Sequence, residues 1–283
     1  MRYAFAPAHS VDTKQAPILF IHGFGASIDH WRKNLGYFSG DRAAYAIDLV
    51  GFGASEKIER AFQIDFWVEQ LYAFWQDFLG EPVILAGNSI GSLVAMACAA
   101  KYPEMSQGLV LINLPDTTLR EEMIPQGIRP VLTKIEQLFT APILLKPLFY
   151  LLRSPKVIRS WAGLAYHDRN AVNDELVEIL TTPAQDRGAA NTFVALFKSM
   201  PQSSFGPSAK LTLPKLKIPI LMLWGECDRM VMPSLAETFV GYNHRIELKM
   251  LPEAGHCPHD EIPDTVNALI QDWLIEQRLS SLQ

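Results

Sequence analysis

Only three cysteines, Cys98, Cys227 and Cys257, occur in the 283 residues, and no two of them form a Cys-x-x-Cys pair. They allow at most one disulfide, so neither a disulfide framework nor a zinc cage is suggested, and a reducing, cytoplasmic setting is expected. There is no run of Lys or Arg, and the formal net charge is -5, so the clustered positive charge that nucleic-acid phosphates require is missing. No uncharged apolar stretch reaches membrane-spanning length, and residues 1–15 lack the apolar core of a signal peptide, so a soluble chain without a transmembrane segment is expected. Internal repeats and low-complexity tracts are absent as well. What remains is a 49% hydrophobic composition, enough to bury a large core in one elaborated domain or two smaller ones.

Short β-branched and apolar runs recur at 18–21, 43–47, 83–86, 109–112, 220–223 and 246–251 and read as strands. Longer amphipathic patterns lie between and after them. Trp67, Leu71, Phe74 and Phe78 are spaced to share one helix face, and Val266, Ile270, Trp273 and Ile275 are read as a docking stripe on the last helix. The alternation predicts an α/β fold: a doubly wound, mostly parallel sheet with helices on both faces. It breaks between residues 116 and 215, where helical periodicity and prolines continue without a convincing strand. The expected organisation is a core of 1–115 and 216–283 with an inserted helical cap, or lid, at 116–215. In the cap, the apolar run 138–152 is interrupted by Pro142, Lys146 and Pro147, which argues against a membrane span. Its Leu and Phe residues, Leu144, Leu145 and Phe149 among them, either pack onto the core, line a pocket for a hydrophobic chain, or face a lipid surface during substrate capture.

Between the third strand and a small-residue helix lies Gly87-Asn88-Ser89-Ile90-Gly91. This G-x-S-x-G pattern describes a strand-to-helix elbow whose serine tip needs glycines on both sides for the two elements to pass closely. A tight structural turn would satisfy the pentapeptide alone. A serine hydroxyl is a weak nucleophile near neutral pH, so it needs a base and a group to orient that base. Asp228 follows the fifth strand and His256 the sixth, which puts Ser, Asp and His in the order of an acyl-transfer triad at the carboxyl ends of strands. Asp116 is a rival orienter, and His22 and His259 are rival bases. His22 also reads as a residue ordering the adjacent glycine turn, and His259 as the start of the final helical region. No ligand pair spaced for a metal accompanies these histidines, so neither metal nor cofactor is expected.

The first strand runs into His22-Gly23-Phe24-Gly25, a turn whose backbone can aim N–H groups at a developing oxyanion. The expected donors are the N–H groups of Phe24 and Ile90, with His22, Gly23, Gly25 and Asn88 around the substrate. A dinucleotide-binding glycine loop is excluded because Ile28 stands where its third glycine belongs. A second glycine turn, 48–55, reads as shaping the site entrance or as a plain connection.

Taken together, His22-Gly23-Phe24-Gly25, the 48–55 turn, Gly87-Asn88-Ser89-Ile90-Gly91, Asp228 and Gly255-His256 resemble the α/β-hydrolase superfamily along essentially the whole chain. The resemblance implies Ser89 as nucleophile, His256 as general base and acid, Asp228 as orienter, and Phe24 and Ile90 as oxyanion donors. The elbow serine sets it apart from haloalkane dehalogenases and epoxide hydrolases, which resemble the pattern with an aspartate there. Residues 80–89 and 254–263, with Val266 and Asn267, are similar to the pheophytinase and chlorophyll-dephytylase-like group of photosynthetic organisms, which hydrolyses the phytyl ester of chlorophyll-type pigments. Within that resemblance, the lack of a plastid transit segment fits a cyanobacterial-type homologue or a mature form.

The expectation is thus a cofactor-independent serine esterase for a small hydrophobic ester, with acid-side loss of activity as His256 takes up a proton. The same residues would also serve a lipase, thioesterase, carbon–carbon bond hydrolase or perhydrolase, and a non-catalytic ligand receptor would keep the pocket alone. Cys227 and Cys257, each beside a triad residue, form a redox pair or are two structural thiols.

Overall fold

The computed structural model describes residues 1–9, 15–116, 118, 142–202 and 204–277. Its strands are β1 Arg2–Ala6, β2 Ile18–Ile21, β3 Ala44–Asp48, β4 Val83–Asn88, β5 Ser106–Ile112, β6 Ile220–Gly225 and β7 Ile246–Leu251. They form one sheet in the order β1-β3-β2-β4-β5-β6-β7, parallel throughout except for the antiparallel β1–β3 pair. The centre of the sheet is buried on both faces, which is why these strands read as unbroken apolar runs. Alternate residues feed separate cores. Leu19, Ile21, Leu85 and Leu111 face one layer, and Ile18, Phe20, Ala86 and Ile112 face the other.

The helices include α1 Arg32–Phe38, α2 Ile64–Phe74, α3 Ile90–Lys101, α4 Pro142–Leu152, α5 Pro155–Ala165, α6 Asp174–Thr181, α7 Ala189–Ser199, α8 Ser234–Val240 and α9 Pro263–Glu276. Helices α2, α3 and α8 cover the first layer, through Trp67, Leu93 and Phe239 for example. The second layer lies under α1 and α9, through Phe38 and Trp273. Helices α4 to α7 and the short helix Ala209–Thr212 fall between β5 and β6, and among the described residues that stretch has no strand. Part of the apolar run expected there, 138–141, lies outside the described residues, as does most of 117–141. No described helix is long and apolar enough to cross a membrane.

Three expectations need correction. The first strand is β1, not β2: Arg2–Ala6 is an edge strand with mostly exposed side chains, so it lacks the apolar run by which its neighbours are recognised. Phe78 follows through a π turn over Trp75–Leu79 and stays stacked on Phe74, centroids 5.0 Å apart, but its ring is half-exposed against Tyr3 at the sheet edge, whereas Trp67, Leu71 and Phe74 are buried. On α9 the stripe is Val266, Ile270, Trp273 and Leu274, whereas Ile275 is exposed. Nine residues at about 100° each carry Ile275 half a turn away from Val266.

Candidate active site

The elbow at Ser89 is a packing solution before it is a chemical one. Strand β4 ends at Asn88, α3 starts at Ile90, and Ser89 between them sits at φ 55°, ψ -120°. A Cβ on Gly87 would lie 2.3 Å from the Gly91 carbonyl carbon, and one on Gly91 would lie 2.2 Å from Ile21 O. Both contacts are with backbone, so only glycine lets the strand, the helix and β2 converge here. The Ser89 N–H donates to Ile112 O at 2.8 Å, and Ser92 Oγ donates to Gly87 O at 2.6 Å and accepts from the Ile112 N–H at 2.9 Å. These bonds hold the sharp turn against β5 and support its uncommon φ.

Asp228 lies in the loop after β6, its side chain buried. Oδ1 accepts from Met230 N–H at 2.7 Å and Val231 N–H at 3.0 Å, while Oδ2 accepts from Asn113 Nδ2 and, at 2.8 Å, from His256 Nδ1. Burial pushes the Asp228 carboxyl up, but the hydrogen bonds and charge of His256, with those from Val231 and Asn113, outweigh it and hold the carboxyl below its ordinary value. With Nδ1–H committed to this carboxylate, Nε2 of a neutral His256 carries the free lone pair. The His256 backbone is fixed as well: its N–H donates to Ala165 O at 2.6 Å, and its carbonyl accepts from Asn88 Nδ2 at 2.9 Å. Ser89 and His256 line one cavity of about 470 Å³. Ser89 Oγ forms no hydrogen bond with a described residue.

Sequence reasoning missed Asn113. It follows β5 directly, adopts φ 51°, and its Oδ1 accepts from Gly225 N–H at 3.3 Å while its amide reaches Asp228. Its signal was positional: the first residue after a central parallel strand, next to β6 in the sheet, must face the loop that carries Asp228.

The turn after β2 holds Phe24 half-exposed, its ring between those of Phe52 and Phe197 at 5.5 and 6.0 Å. The N–H groups of Phe24 and Ile90 have no acceptor among the described residues. His22 is not a pocket residue, contrary to expectation. Fully buried, it donates from Nδ1 to Gly23 O at 2.7 Å and accepts from Leu49 N–H at Nε2, 3.1 Å away. Burial lowers its pKa against the opposing charge of Asp48, so the neutral ring acts as a spacer between two turns. Asp48 organises the 48–55 turn by accepting from Ile28 N–H and Ala54 N–H, both at 2.7 Å, and a Cβ on Gly53 would fall 2.1 Å from its carboxyl carbon.

Gly23, Gly25 and Asn88 line the cavity, and so does Phe149 of α4. Leu144 and Leu145 do not. With Phe149 turned inward, Leu145 lies one helical turn before it, buried but short of the cavity, and Leu144 points outward, 50% exposed. The walls above Ser89 are apolar, formed largely by α5 and α7 through Trp161, Phe193 and Phe197, none of them singled out from the sequence. The rival residues are placed elsewhere. Asp116 accepts from Thr118 and from Ala209 N–H. His259 is fully buried on Trp31. Its Nε2 lies 3.3 Å from His30 Nδ1, and His30 Nε2–H donates at 2.8 Å to the Tyr166 hydroxyl, which donates to Asp260 at 2.7 Å. Burial lowers the His30 pKa to about 4, so this chain is neutral on its histidine side. Cys227 and Cys257 are free thiols, and burial raises Cys257 well above its usual range. No metal-binding cluster occurs among the described residues.

A parallel sheet sandwiched by helices, with a serine at its central elbow and a buried Asp–His pair at the same sheet edge, defines a hydrolase of the α/β class. The chain belongs to the alpha/beta hydrolase family, whose model matches residues 18–269. It is 27% identical to the chloroplastic pheophytinase of Arabidopsis thaliana over 93% of its length, and it spans 62% of that protein. It is also 27% identical to mouse epoxide hydrolase 4, covering 92% of this chain and 73% of that one. Among solved structures, a membrane phospholipase A described as a bacterial virulence factor superposes with a TM-score of 0.76 at 26% identity, covering 98% and 83% of the two chains.

Proposed function

We propose that this chain is a serine hydrolase of hydrophobic carboxylic esters working through an acyl-enzyme, with a phytyl ester of a tetrapyrrole as its candidate substrate. The observation that carries the reading is the Asp228–His256 pair, joined at 2.8 Å and opening onto an apolar cavity whose floor includes Ser89. In this mechanism His256 Nε2 takes the Ser89 hydroxyl proton as Oγ attacks the ester carbonyl, and Asp228 stabilises the imidazolium that results. The oxyanion lies against the Phe24 and Ile90 N–H groups, the latter at the N-terminus of α3 where the helix dipole adds to its donor strength. His256 then protonates the departing alcohol, and a water activated by the same nitrogen releases the acid.

The segment 116–215 acts as the cap: Trp161, Phe193 and Phe197 strip water from the substrate and accept its hydrocarbon part. The likeness to pheophytinase supports a phytyl ester, and the serine at the elbow separates the chain from the aspartate chemistry expected of epoxide hydrolases. Fluorophosphonate labelling abolished in Ser89→Ala, together with release of phytol from pheophytin by the wild type alone, is the expected outcome. Labelling that persists in Ser89→Ala refutes the nucleophile. An ester panel on which only esters of short alcohols turn over, and phytyl and other isoprenoid esters do not, refutes the phytyl substrate.

A further inference from the structure

Helix α4 is apolar around almost its whole circumference, with Lys146 its one charged residue. A helix of that kind is ordinarily buried on every side. Here Leu145 and Phe149 turn inward, while Ile143 is 81% and Leu151 62% exposed, and Leu144 and Leu148 are exposed with them. Helix α5, joined to it through Arg153 and Ser154, adds exposed Trp161 and Leu164. This face is continuous with the cavity, because Leu152, Arg153 and Trp161 line it. Its charge has one sign. Residues 142–166 hold Lys146, Arg153, Lys156 and Arg159 and no Asp or Glu, in a chain of net charge -5; Arg159 pairs with Asp174 of α6, which leaves Lys146, Arg153 and Lys156 as the cations of the face.

We propose that the exposed α4–α5 face docks on the surface of an anionic lipid bilayer, with the cavity mouth turned toward the hydrocarbon. Aliphatic side chains exposed with no partner among the described residues, the two exposed aromatics Trp161 and Tyr150, and flanking cations are the composition of an interfacial anchor. A second copy of the chain is the poorer occupant, because a two-fold contact of this face with itself would set like charges against each other. Seated in this way, the protein takes an apolar ligand from the membrane into the cavity without passing it through water. The docking surface does not depend on the reaction at Ser89.

Co-sedimentation with vesicles tests it. Phosphatidylglycerol-containing vesicles should carry the wild type into the pellet, phosphatidylcholine vesicles far less, and added salt should reduce the binding. Lys146→Glu with Lys156→Glu should weaken binding roughly thirtyfold or more, and Ile143→Asp with Leu151→Asp should abolish it. Both double variants should retain the wild-type circular dichroism spectrum and urea midpoint, which shows that they are folded. Wild type that stays in the supernatant, equal binding to neutral vesicles, or undiminished binding by Ile143→Asp with Leu151→Asp overturns the proposal. So does a lipid-free dimer on gel filtration that the same double variant dissociates, since it would assign the face to a second copy.

Discussion

Replacing Asn113 tests whether the Asp–His pair depends on a third group. The side chain does two separable things: its amide donates to Asp228 Oδ2, the oxygen that also accepts from His256, and its backbone sits at φ 51°. Asn113→Gly removes the amide and tolerates the backbone, whereas Asn113→Ala removes the amide and strains it. A hydrogen bond to a buried charge contributes about 1.5–3 kcal/mol, so both variants should lose stability on that scale, and the alanine variant about 1–2 kcal/mol more. Asp228 keeps donors at 2.7, 2.8 and 3.0 Å from Met230, His256 and Val231, so the carboxylate stays ionised. With its competitor gone, Oδ2 belongs to His256 alone and holds the protonated ring more tightly. The acid limb of the kcat/KM profile should therefore move to higher pH by up to about one unit, the equivalent of about 1.4 kcal/mol. Urea unfolding and pH–rate profiles with a soluble p-nitrophenyl ester measure both effects. An Asn113→Gly profile that is lowered uniformly without shifting would reduce Asn113 to a packing residue. An alanine variant as stable as the glycine one would refute the backbone argument.

Two further outcomes follow from geometry and charge. Gly91→Ala sets a Cβ against Ile21 O and His22 O, at 2.2 and 2.7 Å, so α3 must lift from β2 at a cost of about 1–3 kcal/mol. Because β2 leads to Phe24 and α3 begins at Ile90, kcat should also fall about 10²–10³-fold through the parted N–H donors, and a variant with full kcat would disprove their role. Stability should drop in acid before the carboxylates titrate: His30 stays neutral when folded, down to about pH 4, while its unfolded form takes up a proton below about 6.5. That difference removes about 3 kcal/mol between those limits for His30 alone, and buried His22 and His259, also lowered, act in the same direction. The depressed carboxyl of Asp228 adds its loss at still lower pH. A urea midpoint unchanged between pH 7 and 5 would count against this histidine assignment.

The parts of the molecule most legible in sequence were those where geometry tolerates few residues. The five interior strands, β2 to β6, appeared as apolar runs because their faces are covered, while β7, also read in sequence, is a half-buried border strand; Gly87 and Gly91 marked the elbow because a backbone stands where each Cβ would go. The Asp228–His256 pairing was legible because parallel topology puts the loops after successive strands at one edge. Asn113 escaped because a single polar residue after a strand carries no pattern, and its role exists only once β6 is beside β5. Leu144 and Leu145 were misplaced because periodicity gives the faces of a helix but not which face meets the core, and α4 has no polar face to orient it. Trp161, Phe193 and Phe197 lie far from Ser89 in sequence and reach its cavity only through packing of the cap helices.

Strand β1 decides how the sheet ends. Were it absent, β3 would be the border, an apolar strand with one row of N–H and C=O groups unpaired, which is a template for joining another chain. Five residues close that border antiparallel, and the Arg2 N–H donates to Ser55 Oγ at 2.9 Å, anchoring the strand to the turn built on Asp48. The opposite border, β7, bears the Glu247–Lys249 ion pair, charged side chains of the kind that discourage strand addition. The first six residues thus cover the apolar β3 border with a short, mostly exposed strand, and a fusion or trimming that displaces them would leave the outer N–H and C=O groups of β3 unpaired.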